Sequence, residues 1–317
     1  MQEILSKLDG VRLSFSADGL IFLNLTLAFI MFGVALEIKG KNFRKIFNHP
    51  KPAIVGIVSQ FIFLPAVTFG IVMLFNNIIT PTIALGMILV ASCPGGNISN
   101  FISSLAKANK ELSISLTAFS TIACIIMTPF NFTLWGGFFI KMYNKLDASA
   151  LVRPLEIDPY YMFKTVFILL GIPILLGMMC SWKLPRLTKV ITKPIKILSI
   201  VLFFGIVVTL FANNYEHFMH YIRYIFIIVF FHNGIGFLTG FSLGSVFKLA
   251  SPDIRTVTIE TGIQNSGLGL ILLFNTKIFP ADLAIGGMAF IAAWWGIWHI
   301  LSGLSLAGLW YRRPYTR

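Results

Sequence analysis

Ile259-Glu260-Thr261-Gly262-Ile263-Gln264-Asn265-Ser266-Gly267 interrupts an otherwise apolar stretch that runs from about Arg255 to Phe279. Of the 12 acidic residues in the chain, all but Glu260 and Glu37 fall in expected termini and loops, and Glu37 closes an apolar run. A carboxylate near the centre of a bilayer costs roughly 2.5–3.5 kcal/mol on insertion scales, so it faces the protein interior and finds a cation or a proton. Here the neighbours are neutral polar groups and glycines that break a helix. An acidic group in broken backbone at membrane depth points to a cation site in a transporter.

The composition around this stretch fits that depth. Of 317 residues, 56% are hydrophobic and 12% charged, and the mean hydropathy is +0.83. These values exclude an ordinary soluble domain and indicate a polytopic helical membrane protein. The net charge of +13 is not a nucleic-acid footprint. The basic residues cluster in short loops between apolar runs, where the positive-inside rule and anionic headgroups account for them. A lipid bilayer is therefore the implied partner, and nucleic acid is not. Cys93, Cys124 and Cys180 lie in apolar runs without metal or redox spacing and read as packing thiols. The first 18 residues contain no signal-peptide core. They form either a short interfacial helix with Ile4, Leu5 and Leu8 on one face, or no structure.

Runs of about 18 or more mostly apolar residues number nine: 20–38, 52–75, 81–106, 112–140, 161–182, 194–212, 224–247, 256–276 and 283–311. The expected fold is an all-α integral membrane bundle, since backbone in lipid must satisfy itself and no alternating barrel pattern is present. Loops after the first and fifth runs carry Lys39, Lys41, Arg44, Lys45 and Lys51, and Lys183, Arg186, Lys189, Lys193 and Lys196. Lys107, Lys110, Lys248, Arg255, Arg312, Arg313 and Arg317 fall on the same side. The opposite side holds Lys7, Arg12, Lys141, Lys145, Arg153, Lys164, Arg223 and Lys277. This bias places the N-terminus outside, with residues 1–19 extracytoplasmic, and the C-terminus inside.

Two runs are interrupted in a matching way. Cys93-Pro94-Gly95-Gly96-Asn97-Ile98-Ser99-Asn100 breaks the third, and the Glu260 stretch breaks the eighth. One runs inward and the other outward, and each is the middle helix of a group of three. That is the pattern of an inverted repeat whose broken helices meet at a binding site.

Together these two motifs resemble those of the bile acid:sodium symporter family, with similarity from about Gly19 to Gly308. The resemblance implies a transporter domain over residues 20–313. A core (about 52–140 and 224–311) would move against a panel (about 20–38 and 161–212), without the first of the ten spans common in bacterial members. It implies one sodium held by Ser99, Asn100, Ser113, Thr117 and Glu260. A second would use Gln60, Glu260 and Gln264, with the backbone carbonyls of Thr261 and Ile263. Independently, hard cations want several oxygen ligands, which this set supplies. Ser113 and Thr117, four apart, share one helix face. They also read as interhelical or back-bonded hydroxyls, and Gln60 as a group satisfying a kink at Pro65.

For the substrate, the resemblance points to Asn97, Asn265 and His299. Broken-helix N-termini suit an anion. Ile300 stands where the family often has Asn, which removes a polar contact. With Trp294, Trp295 and Trp298 it is expected to form an apolar wall. His232 and Asn233 read as packing glue, and Gly234, Gly236, Gly240 and Gly244 as a close-packing stripe.

The expectation is a sodium-coupled symporter of organic anions, either bile salts or smaller carboxylates, in a bacterial inner membrane. It has sodium, in two sites, as coupling ion, no cofactor and no protein partner. Proton coupling through Glu260 is the alternative. A membrane-embedded enzyme would need paired acids or a His-x-x-x-His at depth, and a channel a continuous polar lining; neither pattern is present.

Overall fold

Where Pro94 and Gly262 stop two helices, the fold takes its shape. The computed structural model describes residues 2–10, 17–38, 50–146, 159–275, 278–279 and 283–312. In chain order its helices are α1 (Gln2–Asp9), α2 (Ala17–Leu36), α3 (Pro50–Leu74), α4 (Pro81–Ser92), α5 (Ser99–Leu105), α6 (Lys110–Lys145), α7 (Tyr160–Lys183), α8 (Pro185–Asn213), α9 (Tyr215–Val246), α10 (Ser251–Gly262), α11 (Ser266–Leu273) and α12 (Gly286–Tyr311). No strand occurs among the described residues. The expected basic groups at Arg12, Lys39, Lys41, Arg44, Lys45, Arg153, Lys277, Arg313 and Arg317 lie outside them.

Among the described residues, five helices, α3, α6, α7, α9 and α12, are long and apolar enough to cross a membrane. The third and eighth expected runs are instead halved, into α4 and α5 with 12 and 7 residues and α10 and α11 with 12 and 8. Twelve residues of helix rise only about 18 Å, well short of a bilayer. Cys93, forced out of the helical region by the following proline, is extended at ψ 160°, and Ile263 is extended at ψ 99°. The two extended segments cross as an isolated antiparallel bridge between Gly95 and Gln264. Gly96 N donates to Ile263 O and Asn265 N to Pro94 O, both at 2.8 Å. A Cβ on Gly96 would sit 3.1 Å from Gln264 O, so glycine permits this approach.

Three π-turns adjoin prolines. Ser59–Phe63 precedes Pro65, Phe132–Gly136 follows Pro129, and Phe167–Gly171 precedes Pro173. A proline cannot donate to the carbonyl four residues back and clashes with it, and a widened turn relieves both. The glycine stripe of α9 carries α10. Cβ atoms added at Gly236, Gly240 and Gly244 would meet Cα atoms of Gly262, Thr258 and Ile254 at 3.3, 2.7 and 3.3 Å, whereas Gly234 faces open space.

α2 packs mainly on α7 and α8; α4 lies on α12, and α5 also touches α12. Apolar side chains such as Leu74, Trp182, Phe231 and Leu238 stand exposed on the outside, as a lipid-facing surface requires. Of the two readings of the N-terminus, helix is the one found. Leu5 and Leu8 of α1 are wholly buried against α12, α9 and α4. Asp9 Oδ1 accepts hydrogen bonds from Thr80 Oγ1 at 2.8 Å, Thr82 N at 3.3 Å and Thr82 Oγ1.

Candidate functional site

Glu260 lies in the last turn of α10, three residues before the extended crossing, and is 3% exposed. α5 starts just beyond the other break and brings Ser99 and Asn100. α6 adds Ser113 and Thr117 from successive turns of one face. Glu260 Oε1 accepts from Ser99 Oγ at 2.6 Å and from Ser113 Oγ, and Oε2 accepts from Thr117 Oγ1 at 3.1 Å. Asn100 Oδ1 accepts from Ser113 Oγ at 2.9 Å and Thr117 Oγ1 at 3.3 Å. Thr117 Oγ1 also lies 3.0 Å from Ser113 O, so back-bonding and membership of the cluster coexist. Each hydroxyl has a single proton, which leaves oxygen lone pairs directed into the cluster. The result is a buried all-oxygen group with one carboxylate, the chemistry a hard monovalent cation requires.

Gln60 approaches the same carboxylate from the π-turn of α3. The carbonyl that Pro65 cannot serve is Phe61 O, and Asn131 Nδ2 donates to it at 2.9 Å. Gln60 is thereby released from the kink. Its Nε2 donates to Gln264 Oε1 at 2.7 Å and Cys93 O at 3.0 Å. Its Oε1 is buried without a partner among the described residues. Gln60, Ser120 and Glu260 border a small cavity of about 10 Å³, near the minimum that admits one water-sized particle. Gln264 Nε2 donates to Thr261 O at 2.7 Å, Ile263 O receives Gly96 N, and Thr261 Oγ1 pairs with Ser59 Oγ at 2.7 Å. Each carbonyl keeps a second lone pair.

Against the crossing lies a cavity of about 460 Å³, bordered by Asn97, Asn265, His299 and Ile300 and also by Asn100 and Gln264. Asn265 caps α11, its Oδ1 accepting from Leu268 N at 3.2 Å. The amide oxygen is thus committed, and the Nδ2 donors remain for the cavity. His299 Nδ1 and Ser266 Oγ, both at its edge, are buried with no partner among the described residues. The tryptophans are not part of this wall. α12 turns about 100° per residue, so Gly296, His299 and Ile300 face the cavity, while Trp294 and Trp298 pack on Phe226 and Trp295 on His232 of α9.

Several contributors went unread in the sequence. Ser59, beside Gln60, and Asn131 stand in largely apolar runs, and Ser266 lies inside the second break; only the oddity of a polar residue at that depth marks them. Asn233, read as glue, has a definite task. Its Nδ2 donates to Gly262 O at 2.7 Å while its Oδ1 receives Ser302 Oγ at 2.6 Å, which fixes the broken end of α10 beneath Glu260.

The model of the sodium bile acid symporter family matches residues 24–221. A sodium-dependent transporter of Bacillus subtilis, YocS, itself uncharacterized, is 30% identical over 292 residues, 92% of this chain and 84% of its own. The chain belongs to the sodium bile acid symporter family. As a member of the sodium bile acid symporter family with five long apolar helices, it is an integral membrane protein. A probable chloroplast sodium/metabolite cotransporter of Arabidopsis thaliana, BASS1, is 28% identical over 90% of this chain and 66% of its own length. A mouse sodium-dependent organic anion transporter is 27% identical over 87% and 69%. The chain thus spans about two thirds of the length of these two eukaryotic relatives. The family match itself ends before Glu260, but the alignment with the Bacillus protein covers too much of the chain to omit α10.

Proposed function

We propose that this protein is a sodium-coupled symporter of organic anions that crosses the bacterial inner membrane nine times, with its N-terminus outside and C-terminus inside. The four spans beyond the five long helices are α2, the apolar part of α8, and the two broken pairs α4–α5 and α10–α11. The groups α3–α6 and α9–α12 form inverted repeats and a core; α2, α7 and α8 form the panel. One observation carries the proposal: a single buried carboxylate, Glu260, joins a hydroxyl cluster and the orphaned Gln60 oxygen beside a helix crossing that also borders a large cavity. Ser99, Asn100, Ser113, Thr117 and Glu260 hold one sodium. Gln60, Glu260, Gln264 and the carbonyls of Thr261 and Ile263 hold the second.

Coupling follows from the shared backbone. The Ile263–Asn265 segment carries ion ligands and cavity wall at once, and Pro94–Asn97, hydrogen-bonded across to it, borders the cavity and leads into Ser99 and Asn100, so sodium that orders them raises substrate affinity, and substrate raises sodium affinity by the same factor. The donors of Asn265, Asn97 and the start of α11 favour an oxyanion. The volume suits a bile salt or a smaller amphipathic carboxylate. Movement of core against panel gives alternating access. Proteoliposomes should accumulate taurocholate or a smaller carboxylate, saturably, only under an inward sodium gradient. Accumulation driven by a proton gradient in sodium-free buffer would instead favour proton coupling through Glu260.

A further inference from the structure

The cavity has one charged feature, and it lies on α2 and α8 rather than on the crossing helices. Lys196 Nζ donates to Glu37 Oε1 at 3.1 Å and Oε2 at 3.3 Å, and no other Asp, Glu, Lys or Arg among the described residues borders the cavity. Glu37 closes α2 and Lys196 projects from α8, two helices that pack on each other. The pair therefore does not tie the two proposed moving bodies together. Its side chains are 42% and 50% exposed, and a pair so exposed adds little to stability. Another anion can replace Glu37 at small cost. One turn along α8, on the same face, Ser199 also borders the cavity. Its Oγ is buried with no partner among the described residues, and the residue is only 9% exposed. An ammonium and an unused hydroxyl thus face the cavity side by side. Between them and the crossing the lining is apolar, with Ile30, Met31 and Val34 on one wall and Leu268 and Ile300 on the other.

We propose that Lys196 and Ser199 form a second anion subsite, screened by Glu37, and that the preferred substrates carry an acidic group at each end of an apolar middle. One end meets Asn97 and Asn265 at the crossing. The other displaces Glu37 from Lys196, whose flexible stem and three donors allow the exchange. Of the substrate classes proposed above, dicarboxylates, or carboxylates with a distal sulfonate or phosphate, fit best. The inference rests on the reading of this cavity as the transport site.

The test is binding to the purified full-length protein in sodium buffer at fixed ionic strength, by calorimetry. The probes are a homologous series of α,ω-dicarboxylates and the monocarboxylates of matching chain length. In the wild type, dicarboxylates of favourable length should bind more tightly than their monocarboxylate partners. Lys196→Met should lower dicarboxylate affinity about tenfold, to the monocarboxylate level, and leave monocarboxylates unchanged. Lys196→Arg should restore the preference. Glu37→Gln, which removes the competitor, should tighten dicarboxylate binding. A mere strut between α2 and α8 would respond differently: both Lys196→Met and Glu37→Gln would lower thermal stability, and each would change the two series equally. That result, or a wild type indifferent to the second carboxylate, overturns the subsite and leaves the transport site standing. Failure of both series to bind with sodium present overturns the transport-site reading, and the subsite with it.

Discussion

At the scale of single residues, the assignment turns on what Glu260 and Gln60 have left to offer. Glu260→Gln keeps the shape and the hydrogen-bonding oxygen but removes the charge that the two proposed sodium ions would share. Sodium-driven uptake should vanish at every pH tested, because a charge is lost rather than a titration moved. Continued accumulation under a sodium gradient would defeat the site. Gln60→Leu removes the orphaned oxygen together with the Nε2 bonds to Gln264 Oε1 and Cys93 O but leaves the Glu260 cluster intact, so the Hill coefficient for sodium should fall toward one while uptake persists. Asn131→Leu should do the same indirectly. It leaves Phe61 O unserved, at a cost of about 1–3 kcal/mol, and frees Gln60 Nε2 to turn back into the kink. An unchanged Hill coefficient with a lowered Tm would confine Asn131 to stability. Glu260 was legible because a carboxylate at membrane depth is costly and therefore conspicuous, whereas Ser99, Asn100, Ser113 and Thr117 were named through the family resemblance. The division of labour between Gln60 and Asn131 was not legible, since 70 residues separate Asn131 from Phe61 along the chain and no local pattern links a kink to the amide that serves it. The tryptophans misled for a related reason: adjacency on a helix says nothing about direction until the neighbouring helices are known.

At the scale of elements, breaks were readable and docking was not. Pro94 and the paired glycines forecast where α4 ends, since proline fixes the residue before it as well as its own missing donor. The α9 stripe forecast close packing but not its partner, which is the helix bearing Glu260. A methyl at Gly240 would lie 2.7 Å from Thr258 Cα and Val257 O. Backbone cannot move aside as a side chain does, so Gly240→Ala should cost about 1–3 kcal/mol and weaken sodium-induced stabilisation by shifting α10. Gly234→Ala, with open space, is the control and should change neither; equal sodium response in both variants would remove the stripe from the mechanism. α1 escaped a firm reading because eight residues carry too little periodicity to separate helix from tail. Its hold on α4 is electrostatic as well as apolar. Burial raises the Asp9 carboxyl pKa above its ordinary range, against the opposing bonds from Thr82 and Thr80. A pKa raised on docking means the docked state binds the proton more tightly. Docking should therefore strengthen as pH falls through the raised value and weaken as pH climbs past it. All three bonds reach Oδ1, so Asp9→Asn should stay docked at neutral pH as the wild type does in acid. A spin label at Lys7 reports this through its mobility, and wild-type mobility that rises on acidification would contradict it.

At the scale of the whole molecule, orientation and conformational state become one question. Charge bias alone sets the proposed topology. The cavity adds an independent direction. It reaches from the crossing past Phe101 of α5 to Glu37 at the end of α2 and Lys196, where the apolar part of α8 begins, all on the side that the bias makes cytoplasmic. The opposite ends of α4, α9 and α12 are covered by α1. With the proposed topology, the arrangement is an inward-open one. In a cysteine-free background, a cysteine at Lys183 should react with an impermeant thiol reagent only from the cytoplasmic side, and one at Asn77 only from outside. These two fix the frame. A cysteine replacing Phe101, which is 57% exposed, should then label from the cytoplasmic side. Its rate should fall when sodium and a transported anion are present together, because joint binding favours closure of core on panel. Sodium alone should have less effect, and the anion alone without sodium almost none, since each raises the affinity for the other. If Phe101→Cys reacts only from outside while Lys183→Cys and Asn77→Cys behave as expected, the topology stands and the inward-open assignment falls. If the two frame positions exchange sides, the charge bias has been read backwards, and the cavity opens to the exterior.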